Sequence, residues 1–184
     1  MDFNKEYSLI KNLVASDLDW LEAEFANLFS EKNDLDTKLL TILTTSAKRI
    51  RPLLGFLFLR ANGIIPNLKM KKVLLAVELI HNASLIHDDV IDRASVRRGL
   101  TTINENFDDD LAVVAGDYVL SVAMEKIAET DSVETVKIFA EAMKKTCSGE
   151  ISQFFSKYKI QTISKKKKKS KLKTAILFEL AMLA

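Results

Sequence analysis

The chain has 184 residues, of which 48% are hydrophobic, with few glycines and prolines and a formal net charge of +2. This length suits one domain with one sizeable core, and the composition favours helices over sheet. Its apolar runs are too short to cross a bilayer, and no basic leader with an apolar stretch begins the sequence. With a single cysteine, Cys147, no internal disulfide is possible. We therefore expect a cytoplasmic protein in which Cys147 is a small buried residue.

Hydrophobic residues recur with a helical period along most of the chain. The predicted helices cover residues 5–29, 36–46, 50–62, 68–93, 110–129, 132–157 and 170–184. Loop and capping residues separate them at Asn33-Asp34, at Asn62-Gly63 with Pro66, between Arg93 and Asp109, and at Thr130-Asp131-Ser132. This pattern predicts an all-α fold.

A basic cluster, Lys48, Arg49 and Arg51, stands at the beginning of the predicted helix 50–62. One interpretation is a basic helix start, with Pro52 in the first turn, where its missing N–H costs nothing. The other is a clamp for phosphate oxygens, which guanidinium groups bind well. The cluster alone does not choose between them.

The predicted helix 68–93 ends in an acidic segment. Asp88 and Asp92 are four residues apart and therefore lie on one face, where two carboxylates repel each other unless a positive group intervenes. Oxygen ligands of this kind suit Mg²⁺, and Arg97 and Arg98 would hold phosphate oxygens beside it. The alternative is a pair of solvated surface carboxylates. His81 lies about two turns earlier on the same face, where a lone histidine is ordinarily part of the core.

A second acidic cluster, Asp108-Asp109-Asp110, has a simpler interpretation. Three consecutive carboxylates point in different directions around a helix, so they do not form one metal site. Acidic residues are favourable at a helix N-terminus. The cluster therefore predicts a cap for the helix that starts near Leu111.

Six segments carry a family resemblance when they are taken together: residues 46–52, 78–92, 97–99, 115–118, 149–153 and 173–175. Their residues, order and spacing resemble the signature blocks of the trans-polyprenyl diphosphate synthases, with an octaprenyl-like pattern. The resemblance implies an isoprenoid synthase-type helical bundle around a central cavity. It also implies Mg²⁺-dependent head-to-tail condensation of isopentenyl diphosphate with an allylic diphosphate, and a dimer or heteromer as the assembly.

The resemblance assigns roles to individual positions. The isopentenyl diphosphate contacts match Lys48, Arg51, His81 and Arg98. The Mg²⁺ ligands of the first aspartate-rich motif match Asp88 and Asp92. Contacts to the allylic diphosphate match Arg97, Lys173 and Thr174. Asp88, Asp92 and Arg97 would thus be the catalytic residues, and the block with Glu150 and Gln153 would face the cavity.

Ala83 and Ser84 bear on the length of the product. They lie about one turn before Asp88, and in the family bulky residues there block the tunnel while small ones let the chain grow. A helical turn rises about 5 Å, roughly the length of one extended isoprene unit. We therefore expect a long-chain product.

The chain departs from the family pattern in three places. Ser46-Ala47 stands where two glycines are usual, and an unbroken lysine run, Lys165–Lys169, stands where a mixed helix is usual. A second aspartate-rich motif is not found before the chain ends. We therefore expect residues 1–184 to be one polyprenyl synthetase domain truncated at its C-terminus, with half of the metal site and impaired activity.

Two rival functions come from other classes. A non-catalytic partner subunit of a heteromeric prenyl synthase would keep the helical interface, but it would not need Asp88, Asp92, Arg97 and Arg98 together. In the second rival function, the lysine run Lys165–Lys169 would attach the protein to nucleic acid or to a membrane surface. No aromatic residues interleave it as base stacking requires, so we expect no nucleic-acid partner.

Overall fold

The computed structural model describes residues 3–29, 33–45, 47–156 and 175–183. Ser46, the lysine run, Lys173 and Thr174 lie outside these ranges. The helices within them are α1 Phe3–Asn12, α2 Ala15–Ala26, α3 Asp34–Thr44, α4 Ile50–Ala61, α5 Leu68–Asp92, α6 Ile103–Asn106, α7 Asp109–Ala128, α8 Val133–Ser156 and α9 Ile176–Leu183. The strands β1 Val96–Arg97 and β2 Leu100–Thr101 form a short antiparallel hairpin between α5 and α6. The all-α prediction is confirmed apart from this hairpin.

Helix α5 is the centre of the bundle. Every residue from Val73 to Ile80 is buried, so neighbouring helices cover this part of α5 on all sides. Helix α7 packs along it through small residues such as Ala112, Ala115 and Gly116, which allow the two backbones to approach closely. Helices α2, α4 and α9 also contact α5. The hydrophobic core therefore surrounds the helix that carries the predicted site.

Capping residues begin four helices close to the breaks that the sequence predicted. Asn33, Asn67 and Asp108 each accept a hydrogen bond from a backbone N–H in the first turn of α3, α5 and α7. The Ser132 hydroxyl accepts one from the Thr135 N–H at the start of α8. The interpretation of Asp108-Asp109-Asp110 as a helix cap is confirmed.

The prediction of one continuous helix over residues 5–29 is wrong. Residues 5–29 form two helices, because α1 ends at Asn12 and α2 begins at Ala15. The break places Val14 in the core, with 1% of its surface exposed, and leaves Leu13 71% exposed. Neither proline nor glycine marks this point in the sequence. Tertiary packing of Val14 decides it.

The expectation that Cys147 is buried is also wrong, because the cysteine is exposed on α8. Phe139 and Ala142 carry the buried face of this helix. At about 100° per residue, Cys147 lies about 140° around the helix from Ala142. The thiol therefore lies outside the contact between α8 and the core.

None of the helices in the described ranges combines the length and the hydropathy needed to cross a bilayer.

Candidate active site

The predicted site residues of α5 form one stripe along the helix. His81, Ser84, Asp88 and Asp92 are three or four residues apart, so they share a face. His81, Ser84 and Asp88 are half-buried, and Asp92 is exposed. The stripe therefore runs from the interior of the bundle to solvent at the C-terminal end of α5.

The carboxylates of Asp88 and Asp92 fit a magnesium ion in chemistry and position. They present oxygen donors from adjacent turns of a regular helix. Among the described residues no three carboxylate, imidazole or thiolate groups converge as a complete metal site. Mg²⁺ usually takes one or two carboxylates and completes its shell with water and phosphate oxygens. The pair thus matches the protein's share of a metal–diphosphate site.

Asp89, which the sequence analysis did not assign, has a different task from its acidic neighbours. It is buried, and its Oδ1 accepts a hydrogen bond from Arg97 Nε at 2.6 Å. Burial raises the pKa of Asp89, the Arg97 hydrogen bond opposes this rise, and the carboxylates of Asp88 and Asp92 add to it. The sequence contains a signal for this separate role: Asp89 directly follows Asp88, and consecutive side chains of a helix point in different directions, so the two carboxylates cannot share one face. Asp89 fixes the guanidinium of Arg97 beside α5.

The hairpin that follows α5 determines where Arg97 and Arg98 lie. Val96 pairs with Thr101 and Arg97 with Leu100, so Arg98 and Gly99 form a two-residue turn. Both turn residues have positive φ, 53° and 80°, as the type I′ hairpin turn requires. Glycine adopts this conformation without strain, and Gly99 is the sequence signal for the hairpin. The predicted break from Arg93 to Asp109 therefore contains this hairpin and the short helix α6, which the sequence analysis did not predict.

The three residues of the basic cluster have separate environments. Lys48 is exposed, and its backbone carbonyl accepts a hydrogen bond from the Tyr7 hydroxyl. Arg49 is buried: it donates two hydrogen bonds of 2.8 Å to Glu22, and its Cζ lies 3.9 Å from the centre of the Phe25 ring. Arg49 is thus a structural cation, in keeping with the helix-start interpretation.

Arg51 stands in the first turn of α4 and remains half-buried. Its Cζ lies 4.8 Å from the centre of the Phe178 ring on α9. Its buried Nε has no hydrogen-bond partner among the described residues. Burial lowers the pKa of Arg51, and Arg98 lowers it further, while Glu78 opposes both. Arg51 is therefore a constrained guanidinium that retains capacity to bind an anion.

Glu78 is the second residue that the sequence analysis left without a role. Only 3% of it is exposed, and burial raises its pKa although Arg49, Arg51 and Arg98 all lower it. It lies one turn before His81, within the helical run that predicted only core positions. A glutamate inside an apolar helix is a detectable signal, because carboxylates are rarely buried without a partner.

The structure brings His81, Arg51 and Arg98 together. Burial lowers the pKa of His81 to about 3, and the guanidiniums of Arg51, Arg98 and Arg97 contribute to the decrease. The imidazole is neutral at pH 7 and can act as a hydrogen-bonding group but not as a cation. Three of the predicted isopentenyl diphosphate contacts thus form one cluster, and Lys48 lies nearby in sequence at the end of the preceding loop.

A small cavity of about 20 Å³ adjoins this cluster. Thr45, Asn82, Asp89, Arg97 and Arg98 are among the residues that line it. It has room for water but not for a prenyl chain. Ala83 is buried and Ser84 half-buried on other sides of α5, and neither lines this cavity.

His87 packs against α7 next to the acidic residues. Its Nε2 lies 3.2 Å from the carbonyl oxygen of Val113 and 3.4 Å from Oδ1 of Asp117. A Cβ atom at Gly116 would lie 2.3 Å from Nε2, far inside van der Waals contact. The imidazole therefore occupies the space that Gly116 leaves open, and this contact fixes the last turns of α5 against α7.

Comparison with known proteins agrees with this geometry. The model of the polyprenyl synthetase family matches residues 32–184. The chain is 36% identical over 168 residues to the heptaprenyl diphosphate synthase component 2 of Geobacillus stearothermophilus, covering 90% of this chain and 52% of that protein.

Two solved structures share the fold. The decaprenyl diphosphate synthase from Rhodobacter capsulatus superposes with a TM-score of 0.88 and 26% identity, covering 96% of this chain and 55% of that one. The polyprenyl synthase from Caulobacter crescentus CB15, complexed with calcium and isoprenyl diphosphate, superposes with a TM-score of 0.85 and 25% identity. This match covers 96% of this chain and 54% of that one. The chain spans about half the length of these relatives. It belongs to the polyprenyl synthetase family, and its helices have the isoprenoid synthase arrangement.

Proposed function

We propose that this chain contributes to a polyprenyl diphosphate synthase, which condenses isopentenyl diphosphate head-to-tail with an allylic diphosphate in the presence of Mg²⁺. The observation that carries the proposal is that α5 presents two oxygen ligands, Asp88 and Asp92, on the face that also carries His81. The guanidiniums of Arg51, on α4, and Arg98, in the hairpin turn, act on this histidine. Family membership and a similar fold in a complex with calcium and isoprenyl diphosphate support it.

The two groups of residues suit two diphosphates. Asp88 and Asp92 would hold the metal, which when bound supplies positive charge to a departing diphosphate. Asp89 orients Arg97, so that this guanidinium is fixed before a substrate arrives and needs no reorganisation as charge develops. We assign Lys173 and Thr174, which lie outside the described residues, to the same diphosphate.

The second diphosphate would bind the basic cluster. Arg51 and Arg98 provide forked donors for phosphate oxygens, and exposed Lys48 provides a further cation. Neutral His81 adds a hydrogen bond without adding charge. The apolar side chains around α5 would exclude water from the allylic carbocation, which water would otherwise capture.

A binding and turnover experiment on the purified chain tests the proposal. Isothermal titration calorimetry measures its affinity for inorganic diphosphate with Mg²⁺ and with EDTA, and radiolabelled isopentenyl diphosphate measures elongation of farnesyl diphosphate. We expect Asp88→Asn to remove the metal-dependent part of binding, and the matched variant Asp110→Asn, an exposed acid on α7, to retain it. Diphosphate binding by the unmodified chain that Mg²⁺ does not strengthen would contradict the proposal.

Turnover decides between this function and a second candidate. A relative named component 2 supports assembly with a different subunit. If the chain binds Mg²⁺ and diphosphate but elongates farnesyl diphosphate only when another subunit is added, the chain is one component of a heteromeric synthase. We propose a long-chain product, which the heptaprenyl and decaprenyl names of the relatives support. Assembly as a homodimer and a cytoplasmic location stay predictions.

A further inference from the structure

Two arginine ion pairs join helix α4 to helix α2, one at each end of α4. At the C-terminal end, Arg60 Nε and Nη2 donate hydrogen bonds to Oδ2 of Asp17 at 3.1 and 2.8 Å. At the N-terminal end, Arg49 Nε and Nη2 donate to the two carboxylate oxygens of Glu22, both at 2.8 Å. The same kind of contact therefore fixes both ends of α4 to α2.

The Arg49 pair is the more constrained of the two. The Arg49 side chain is 1% exposed, whereas that of Arg60 is 37% exposed. Arg49 Cζ lies 3.9 Å from the centre of the Phe25 ring. Arg49 Nη1 lies 3.7 Å from Oε1 of Glu78, which is within the range of an ion pair but longer than a hydrogen bond. Arg49, at the start of α4, thus contacts both α2 and α5.

The backbone of Arg49 adopts an uncommon conformation. Arg49 is the residue before the first turn of α4, and its φ of 50° and ψ of 37° are left-handed. Large residues seldom adopt this conformation, and they keep it only where the surrounding contacts impose it. The contacts of the buried guanidinium with Glu22 and Phe25 are of this kind. The direction in which the chain enters α4 therefore depends on the Arg49 side chain.

Lys48 and Arg51 lie on the two sides of this residue. Lys48 is exposed immediately before it. Arg51 is half-buried in the first turn of α4, and its Nε has no hydrogen-bond partner among the described residues. Because Arg49 lies between them, its backbone angles set the position of one side chain relative to the other.

We propose that Arg49 is a positioning residue for diphosphate binding: its buried ion pair fixes the turn at the start of α4 and thereby directs Lys48 and Arg51 to one anion. This inference rests on the proposed function, since it takes Lys48 and Arg51 as diphosphate ligands. Arg49 does not touch the diphosphate. The Arg60 pair, about 16 Å away along the helix, has only a structural role.

The same substitution at each end of α4 tests the proposal on the full chain. Arg49→Lys and Arg60→Lys both keep the positive charge, but a compact ammonium does not reproduce the planar fork of a guanidinium. Isothermal titration calorimetry with inorganic diphosphate and EDTA measures anion affinity without metal. We expect the dissociation constant to rise at least about fivefold in Arg49→Lys and to stay unchanged in Arg60→Lys. Both variants should unfold at a lower urea concentration.

Glu22→Gln separates positioning from charge, and it also serves if Arg49→Lys does not fold. It removes a negative charge beside the basic cluster, so electrostatics alone would strengthen diphosphate binding. If Arg49 acts as proposed, the weakened fork should weaken binding instead. Unchanged or higher affinity in folded Glu22→Gln would overturn the proposal, as would equal dissociation constants in Arg49→Lys and Arg60→Lys.

The titrations also separate this inference from the proposed function. If the unmodified chain binds no diphosphate with Mg²⁺ or with EDTA, the proposed function fails and the inference fails with it. If it binds with Mg²⁺ but not with EDTA, the metal site stands, whereas the assignment of Lys48 and Arg51 and the inference both fail. If it binds in both conditions and the two lysine variants bind alike, the inference alone fails.

Discussion

The N-terminal end of helix α5 and its middle, around Glu78 and His81, use charge in different ways. At the N-terminal end, Lys71 pairs with buried Asp17 at 3.0 Å and Lys72 pairs with Glu129 at 2.6 Å. Lys69 donates a hydrogen bond to the carbonyl oxygen of Thr130 at 2.7 Å. These cations join α5 to α2 and to the end of α7, so they serve the fold.

Around Glu78 and His81, polar atoms remain that their neighbours do not satisfy. Arg51 Nε and Glu78 Oε2 are buried without hydrogen-bond partners among the described residues, and the pKa of His81 falls to about 3. Both regions contain acidic and basic side chains that belong to α5 or lie against it. The difference teaches that unsatisfied buried atoms, rather than the number of charges, distinguish a binding site from a structural ion-pair cluster.

The largest effect on stability should come from a substitution at the N-terminal end of α5, where the charges are paired. Asp17 is 1% exposed and also accepts hydrogen bonds from Arg60, so Asp17→Asn leaves Arg60 and Lys71 without their counter-ion. We expect the free energy of unfolding to fall by about 3 kcal/mol in urea denaturation. Asp19→Asn, an exposed neighbour on α2, is the control. Diphosphate affinity should not change in either folded variant, and a change would contradict the distinction between the two regions of α5.

A pH titration addresses the unsatisfied region in the middle of α5. The pKa of His81 is about 3 in the folded protein and about 6.5 in the unfolded chain, so the unfolded chain takes up a proton first as the pH falls. The group's contribution is therefore complete above pH 6.5 and is lost progressively below it, at up to about 1.4 kcal/mol per pH unit. In His81→Gln, stability between pH 6.5 and 4.5 should fall less steeply. Parallel stability curves for the two proteins would show that His81 protonates normally.

Gly116→Ala should have a smaller effect, confined to the contact between α5 and α7. The added Cβ would lie 2.3 Å from His87 Nε2, so the imidazole must move away from Val113 and Asp117. We expect a loss of about 1 kcal/mol. His87→Ala in the same chain should recover part of it, because the double variant removes the clash. Additive losses in this cycle would mean that the two residues do not share the space.

Of these substitutions, Ser84→Phe should have the smallest effect on stability and the largest effect on the length of the prenyl product. Ser84 is half-buried on the face of α5 that also carries Asp88, and its hydroxyl donates to the carbonyl oxygen of His81. In an active form of the synthase, a phenyl ring here should shorten the prenyl products, as thin-layer chromatography would show. Ser121→Phe, exposed on α7, is the control. Products of unchanged length would show that Ser84 does not line the tunnel in which the prenyl chain grows.

The sequence by itself determined the helical fold and most helix ends, and it predicted the acidic and basic residues of the candidate site. These features are local: hydrophobic period, capping side chains and ordered motifs are written in neighbouring residues. Asp108 illustrates this, since its cap of α7 was predicted and is confirmed by the hydrogen bond from the Leu111 N–H.

Only the tertiary structure decided the features that depend on distant partners. The break at Val14, the exposure of Cys147 and the separate tasks of Arg49 and Arg51 have no local signal. Arg49 pairs with Glu22 and packs on Phe25, residues far from it in the sequence, whereas Arg51 lies over Phe178. Burial and the position of opposite charges determine what an ionisable group does, and both are properties of the folded chain.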